Sequence, residues 1–122
     1  MKRVVHRNIA DLRAAAARRL PAPIYHFLDG GAEDERSLRE NGNAFADYAF
    51  VPNVLRDVSS VDPSTTLLGQ KISIPLVLSP TGASEVFHHA GERAVARAAA
   101  RAGVPYALSC MSTTTLEDVA AV

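Results

Sequence analysis

The chain is 122 residues long and 48% hydrophobic, with 13 Lys+Arg against 13 Asp+Glu and no tryptophan. This is one ordinary domain's worth of chain, and its balanced charge excludes the clustered cationic face that a phosphate backbone needs, so no nucleic-acid partner is expected. The single cysteine, Cys110, can close no internal disulfide and build no thiolate metal site, so no metal is expected either.

Lys2, Arg3, Arg7, Arg13, Arg18 and Arg19 among many alanines resemble an organellar presequence in composition. We read them instead as the solvated basic face of a first helix. A secretory signal is excluded, because no apolar stretch of about 7–15 residues follows the charges. Asn8 opens that helix: its side chain can accept the backbone N–H of Asp11, and Asp11 suits the positive helix end. Ile9, Leu12, Ala16 and Leu20 recur at helical spacing until Pro21, whose predecessor avoids the α region. Pro23 predicts a short second helix over Ile24 to Leu28, stopped by Gly30 and Gly31 in a left-handed cap. A third helix is predicted over Glu33 to Phe45, with Gly42 as a weak point inside it.

Val51 to Asp57 reads as an extended connector. Thr65 to Leu68 and Lys71 to Ile74 are β-type runs around Gly69-Gln70, which predicts a hairpin. Pro75 to Ser79 is a short apolar strand of the kind buried on both faces of a parallel sheet. The apolar run from Ile74 to Leu78 is too short to cross a bilayer, which takes about 20 residues. A loop over Pro80 to Ala90 follows, then an alanine-rich helix from Gly91 to Ala102 ending at Gly103. Val104 to Ser109 is a second strand, Met111 to Thr115 a second loop, and Leu116 to Val122 the start of another helix. The order is two βα units in succession.

Two such units do not complete a sheet, since each parallel strand needs neighbours or a protected edge. A (β/α)8 barrel takes about 250 residues, so this chain would supply about a quarter of the strands. No C-cap signal follows Val122. The expected fold class is α/β: the N-terminal part of an incomplete TIM barrel. Residues 1–74 would form N-terminal helices and a hairpin, and residues 75–122 the first two βα units. A small complete α+β domain is the alternative.

The landmarks that follow share one order along the chain: Arg19-Leu20-Pro21; Tyr25 to Asp34, reading Tyr-His-Phe-Leu-Asp-Gly-Gly-Ala-Glu-Asp; Asn41 with Ala44-Phe45; and Leu55 to Val58. Thr65-Thr66 with Leu68-Gly69, Ile74-Pro75, Ser79 to Gly82, Gly91-Glu92, Ala98-Ala99 with Gly103, and Leu108-Ser109 complete them. In this order they resemble the N-terminal third of the FMN-dependent α-hydroxy-acid dehydrogenases and oxidases, which include L-lactate dehydrogenase, glycolate oxidase and mandelate dehydrogenase. The resemblance implies a TIM barrel with FMN at the C-terminal strand ends. It implies that the backbone of Pro80, Thr81 and Gly82 meets the flavin ring near N5, and that Ser109 hydrogen-bonds the flavin. Strand ends are where barrel enzymes place their chemistry, and glycine admits close backbone approach to a planar group. A plain turn at Pro80-Thr81-Gly82, and a Ser109 hydroxyl that only caps the following turn, remain open.

The resemblance also implies that Phe27 and Met111 line the substrate pocket, with ordinary packing the alternative for each. The family commonly has tyrosine at Phe27, whose hydroxyl contacts the substrate carboxylate, so this chain keeps the ring and loses a donor. Tyr25 is no replacement, because two residues along a helix turn a side chain by about 200°. The family's catalytic histidine, substrate-binding arginine, flavin lysine and phosphate-binding loops belong to positions beyond residue 122. No catalytic residue is therefore assigned within the chain, and His88 and His89 read as surface loop. Arg93, Arg97 and Arg101 read as a solvated helix face. Strand alternation puts Cys110 opposite Ser109, toward a core.

The function implied is part of an FMN-dependent oxidoreductase that converts a lactate-like L-2-hydroxy acid to the 2-keto acid, reoxidised by oxygen, a quinone or a cytochrome. The isolated chain is expected to be inactive. A cytoplasmic location is expected, or one peripheral to the inner membrane for a full-length protein, and full-length relatives are often tetramers or octamers. The alternatives are a non-catalytic truncated product or interaction fragment, or part of another FMN barrel such as the type 2 isopentenyl diphosphate isomerase.

Overall fold

The Asn8 side chain accepts the Asp11 N–H at 2.8 Å, and helix α1 runs Ile9–Arg19 from that cap. This is a computed structural model that describes residues 6–122; Lys2 and Arg3 of the basic N-terminal pattern lie outside the described residues. By contact density the chain divides into two units, Met1–Arg56 and Asp57–Val122.

In the first unit, Leu20 turns extended ahead of Pro21 and ends α1, and α2 covers Ala22–Asp29 with Pro23 in its first turn. Gly30 ends α2 in an extended rather than a left-handed conformation (φ −79°), which corrects the expected cap. Helix α3 covers only Arg36–Asn43, shorter than predicted at both ends. Glu33 and Glu35 take positive φ (48° and 56°), which an α-helix cannot accommodate, and Ala44–Asp47 tightens into a 3-10 turn. The Arg13 guanidinium forks onto both carboxylate oxygens of Asp29, tying α1 to the end of α2 and holding that carboxyl below the ordinary carboxylate range. Ala15 is the buried apolar residue here.

The second unit begins with the hairpin. Strands β1 (Thr65–Leu67) and β2 (Gln70–Ile72) pair antiparallel, with Leu67 opposite Gln70. The turn is Leu68-Gly69, one residue earlier than predicted. Both residues have positive φ (49° and 79°), as a two-residue turn matching strand twist requires, so Gln70 belongs to the ladder. The predicted strands over 75–79 and 104–109 reduce to one parallel bridge, Leu78 to Tyr106. Leu78 N–H donates to the Pro105 carbonyl at 2.9 Å, and Ala107 N–H donates to the Leu78 carbonyl at 3.0 Å. A parallel pair with no further strand beside it has little to extend its ladder, and Pro75 and Pro105 bring no N–H. Within this chain the first segment is not buried on both faces: Leu76 and Val77 stay exposed.

Helix α4 (Ser84–Phe87) occupies part of the predicted loop, α5 covers Gly91–Ala102 as expected, and α6 covers Leu116–Ala120. Gly103 closes α5 in the left-handed region (φ 65°). Its N–H reaches the Ala100 carbonyl and Val104 N–H reaches the Ala99 carbonyl, the paired bonds of a Schellman ending. Ile72, Ala99 and Val104 are the buried apolar residues of this unit. Large apolar side chains from Phe45 to Val61, Phe50 and Leu55 above all, stand in solvent. No helix among the described residues is long and apolar enough to cross a membrane.

Candidate functional site

The Leu78–Tyr106 bridge places two loops side by side, each following the C-terminal end of a bridged segment. The first carries Pro80, Thr81 and Gly82, the second Ser109 and Met111. Ala83 N–H donates to the Met111 carbonyl at 2.9 Å and joins them. Gly82 sits at the closest approach. A Cβ there would lie 2.8 Å from Met111 Cβ and 3.4 Å from Ser109 Oγ. The structure therefore needs glycine at 82 for loop-to-loop packing, a reason the sequence did not suggest.

Ser109 Oγ accepts the Met111 N–H at 3.1 Å, so the hydroxyl does cap the turn that follows it. A hydroxyl has one donor and two acceptor sites, so its hydrogen stays available for a second partner. Pro80 and Thr81 are exposed, and among the described residues nothing accepts from the Thr81 N–H. A flavin ring offers acceptors along its N5/O4 edge, and the Thr81 N–H and Ser109 O–H suit them. The donor set thus fits the ring of FMN.

Met111 is 73% exposed beside Gly82. Phe27 belongs to the first unit, on α2, and is exposed there. Cys110 is exposed in the turn after Ser109, not core-facing as alternation suggested, because the strand has ended and a turn has no two-residue period. His88 and His89 are exposed with rings stacked at 4.3 Å, and His88 Nδ1 accepts the Ala90 N–H at 3.1 Å. No group of three potential metal ligands occurs among the described residues.

The feature that sequence reasoning missed is Glu92, in the first turn of α5 and fully buried. Its Oε1 accepts the Ser84 N–H and the Thr113 N–H, both at 3.1 Å. Its Oε2 accepts the Thr113 hydroxyl at 2.7 Å and the Thr114 hydroxyl at 3.1 Å. Burial pushes this carboxyl up, but the hydrogen bonds together outweigh it and hold the group down at about 2. The Tyr106 hydroxyl is buried and has no hydrogen-bond partner among the described residues; desolvation first, then the Glu92 charge, pushes that phenol up. The available signals were the Gly91-Glu92 landmark and the hydroxyl run Ser112 to Thr115, but a first-turn acid ordinarily sits in water.

Comparison with known proteins identifies the context. The family model described as FMN-dependent dehydrogenase matches residues 16–122. The chain is 42% identical over 113 residues to glycolate oxidase of Spinacia oleracea, covering 93% of this chain and 31% of that protein. It is 44% identical over 112 residues to a putative L-lactate dehydrogenase of Mycobacterium tuberculosis, covering 92% and 27%. Among solved structures, (S)-mandelate dehydrogenase of Pseudomonas putida superposes with a TM-score of 0.87 at 40% identity, covering 93% of this chain and 33% of that one. Mandelate oxidase gives a TM-score of 0.89 at 38% identity, covering 96% and 34%. The chain spans about a third of the length of the relatives it matches. With the match running from residue 16 to residue 122, this chain belongs to the FMN-dependent dehydrogenase family.

Proposed function

We propose that this chain forms the opening part of a TIM-barrel, FMN-dependent oxidoreductase that oxidises a lactate-like L-2-hydroxy acid to the 2-keto acid. Residues 1–74 are its N-terminal helices and hairpin, and residues 75–122 its first two βα units. The observation that carries this reading is the convergence of Gly82, Ser109 and Met111 at one end of the Leu78–Tyr106 bridge. FMN, when bound, accepts two electrons from the substrate α-carbon.

The chain's own residues bind and orient. Thr81 N–H and Ser109 O–H would donate to the flavin. Pro80 and Gly82 would shape the loop that holds it, and Met111 would line the substrate pocket. Phe27 contributes a ring without a donor for the substrate carboxylate; a hydrogen bond to a charged group contributes about 1.5–3 kcal/mol, so choice among hydroxy acids shifts here. No described histidine stands at the two loops. His88, the nearest described histidine in sequence, accepts the Ala90 N–H on Nδ1, and we assign no residue of this chain as the base that takes the hydroxyl proton. The acceptor is oxygen, a quinone or a cytochrome, and the setting is the cytoplasm or, for a full-length protein, the inner-membrane surface, full-length relatives often being tetramers or octamers.

Titrating the chain with FMN and then adding L-lactate tests this reading. We expect weak FMN binding, seen as perturbed flavin absorbance, and no sustained bleaching. Absence of any flavin perturbation refutes the flavin-facing assignment, and enzymatic bleaching refutes the inactivity. A second reading, an interaction fragment, draws on the exposed apolar side chains from Phe45 to Val61.

A further inference from the structure

Glu92 is an anion shielded from solvent, and among the described residues it pairs with no cation. Arg93, its neighbour, pairs instead with Asp118 at 3.0 Å. A buried carboxylate is costly unless hydrogen bonds replace its water. Here they do, and the donors come from both sides of the site. Ser84 follows the Pro80-Thr81-Gly82 loop, while Thr113 and Thr114 follow Ser109 and Met111. One oxygen, Oε1, bridges the two backbones directly through Ser84 N–H and Thr113 N–H. Favouring its own helix end would not require burial, because an exposed acid in the first turn does that. Burial instead fixes the separation of two loops that otherwise share the Ala83–Met111 backbone bond and the bond that the Glu85 N–H donates to the Thr113 hydroxyl.

Resting on the flavin reading above, we propose that Glu92 is a positioning residue: it clamps the loop after the first bridged segment to the loop after the second, and so sets where Gly82 and the Ser109 hydroxyl stand beneath the flavin ring. The chain of contacts is short. Glu92 holds Ser84, adjacent Ala83 holds the Met111 carbonyl, and Met111 N–H holds Ser109 Oγ.

Glu92→Gln is the informative variant. It keeps one oxygen for the two backbone N–H groups, while its amide N–H can donate to the Thr113 and Thr114 hydroxyls, which rotate to accept. The fold survives and the clamp loosens. Amide hydrogen exchange on the full chain reads the clamp, and visible circular dichroism of added FMN reads the positioning. The expected result is at least tenfold faster exchange at Ser84 and Thr113 together, unchanged protection of Val95 to Ala100 in α5, and an altered flavin dichroism band. Thr113→Val should act in the same direction with a smaller effect, and the double variant should exceed Glu92→Gln only slightly. Unchanged exchange at either Ser84 or Thr113 overturns the clamp. Loosened loops with an unaltered flavin band overturn the positioning role. If Glu92→Gln loses α5 protection, Thr113→Val decides by the same two criteria. If the unaltered chain perturbs no flavin, the flavin reading and the positioning role fall, while exchange still judges the clamp.

Discussion

Substituting Gly103 by alanine tests how the end of α5 is joined to the hairpin. Two costs add there. At φ 65° an L-residue is strained by about 1–2 kcal/mol relative to glycine. The new Cβ would also clash with Ser73 Oγ and lie 3.1 Å from Ser73 Cβ. The hydroxyl can swing aside. The Cβ cannot, because Ser73 N–H is bonded to the Gly103 carbonyl at 2.9 Å. Relieving the contact means lengthening that bond, worth about 1 kcal/mol. The expected loss is about 2–3 kcal/mol. Gly69→Ala is the matched control: its φ is 79° but nothing lies within 4 Å, so it should show the backbone cost alone. Exchange protection of α5 amides, or a urea transition followed by helical circular dichroism, gives both values. Ser73→Gly should recover the difference between them in a double-mutant cycle. Equal losses at Gly69 and Gly103, or no coupling to Ser73, would refute the reasoning.

Acid should weaken the second unit through Glu92. Its carboxyl falls from an ordinary 4.5 to about 2 on folding, so the stabilisation is complete above pH 4.5 and disappears as pH drops toward 2. The shift is equivalent to about 3 kcal/mol. Asp57, Asp62 and Asp118 of the same unit are also held low, so the difference between the unaltered chain and Glu92→Gln is what isolates Glu92 in an acid titration of stability. Ser109→Ala removes the acceptor of Met111 N–H and the donor offered to flavin. It should cost about 1 kcal/mol in a urea transition and weaken FMN binding about fivefold to tenfold by flavin titration. Tyr106→Phe deletes a buried hydroxyl that has no partner among the described residues, so its urea midpoint should hold or rise; a loss above about 1 kcal/mol would show that the phenol is bonded in solution.

What could be read in advance was the local chemistry. Asn8 as a cap, Pro21 as a stop, Gly103 as a helix end and the hairpin around Gly69 each depend on a few neighbouring residues. The two apolar strands were placed correctly but overstated, since strand pairing depends on partners that a linear pattern does not supply. Helix α3 was overextended because Glu33 and Glu35 favour helices by composition, yet the chain needs positive φ at both. The roles of Gly82, Ser109 and Met111 came from resemblance, while their mutual contact came from the fold. Glu92 escaped notice because nothing local distinguishes an acid that will be buried from one that will face water. Only the meeting of the Ser84 loop with the Thr113 loop, the latter 21 residues beyond Glu92 in sequence, makes that distinction.

The ribbon from Phe45 to Val61 has a thermodynamic consequence. Heat capacity rises on unfolding because apolar area becomes hydrated. Phe50 and Leu55 are already fully hydrated in the folded chain, and Tyr48, Val51 and Val54 nearly so. Calorimetry should therefore return a heat-capacity increment below the usual 12–15 cal/mol/K per residue, roughly in proportion to that wetted area. The stability curve of this chain is correspondingly shallow: it gains little on cooling and loses little on moderate warming.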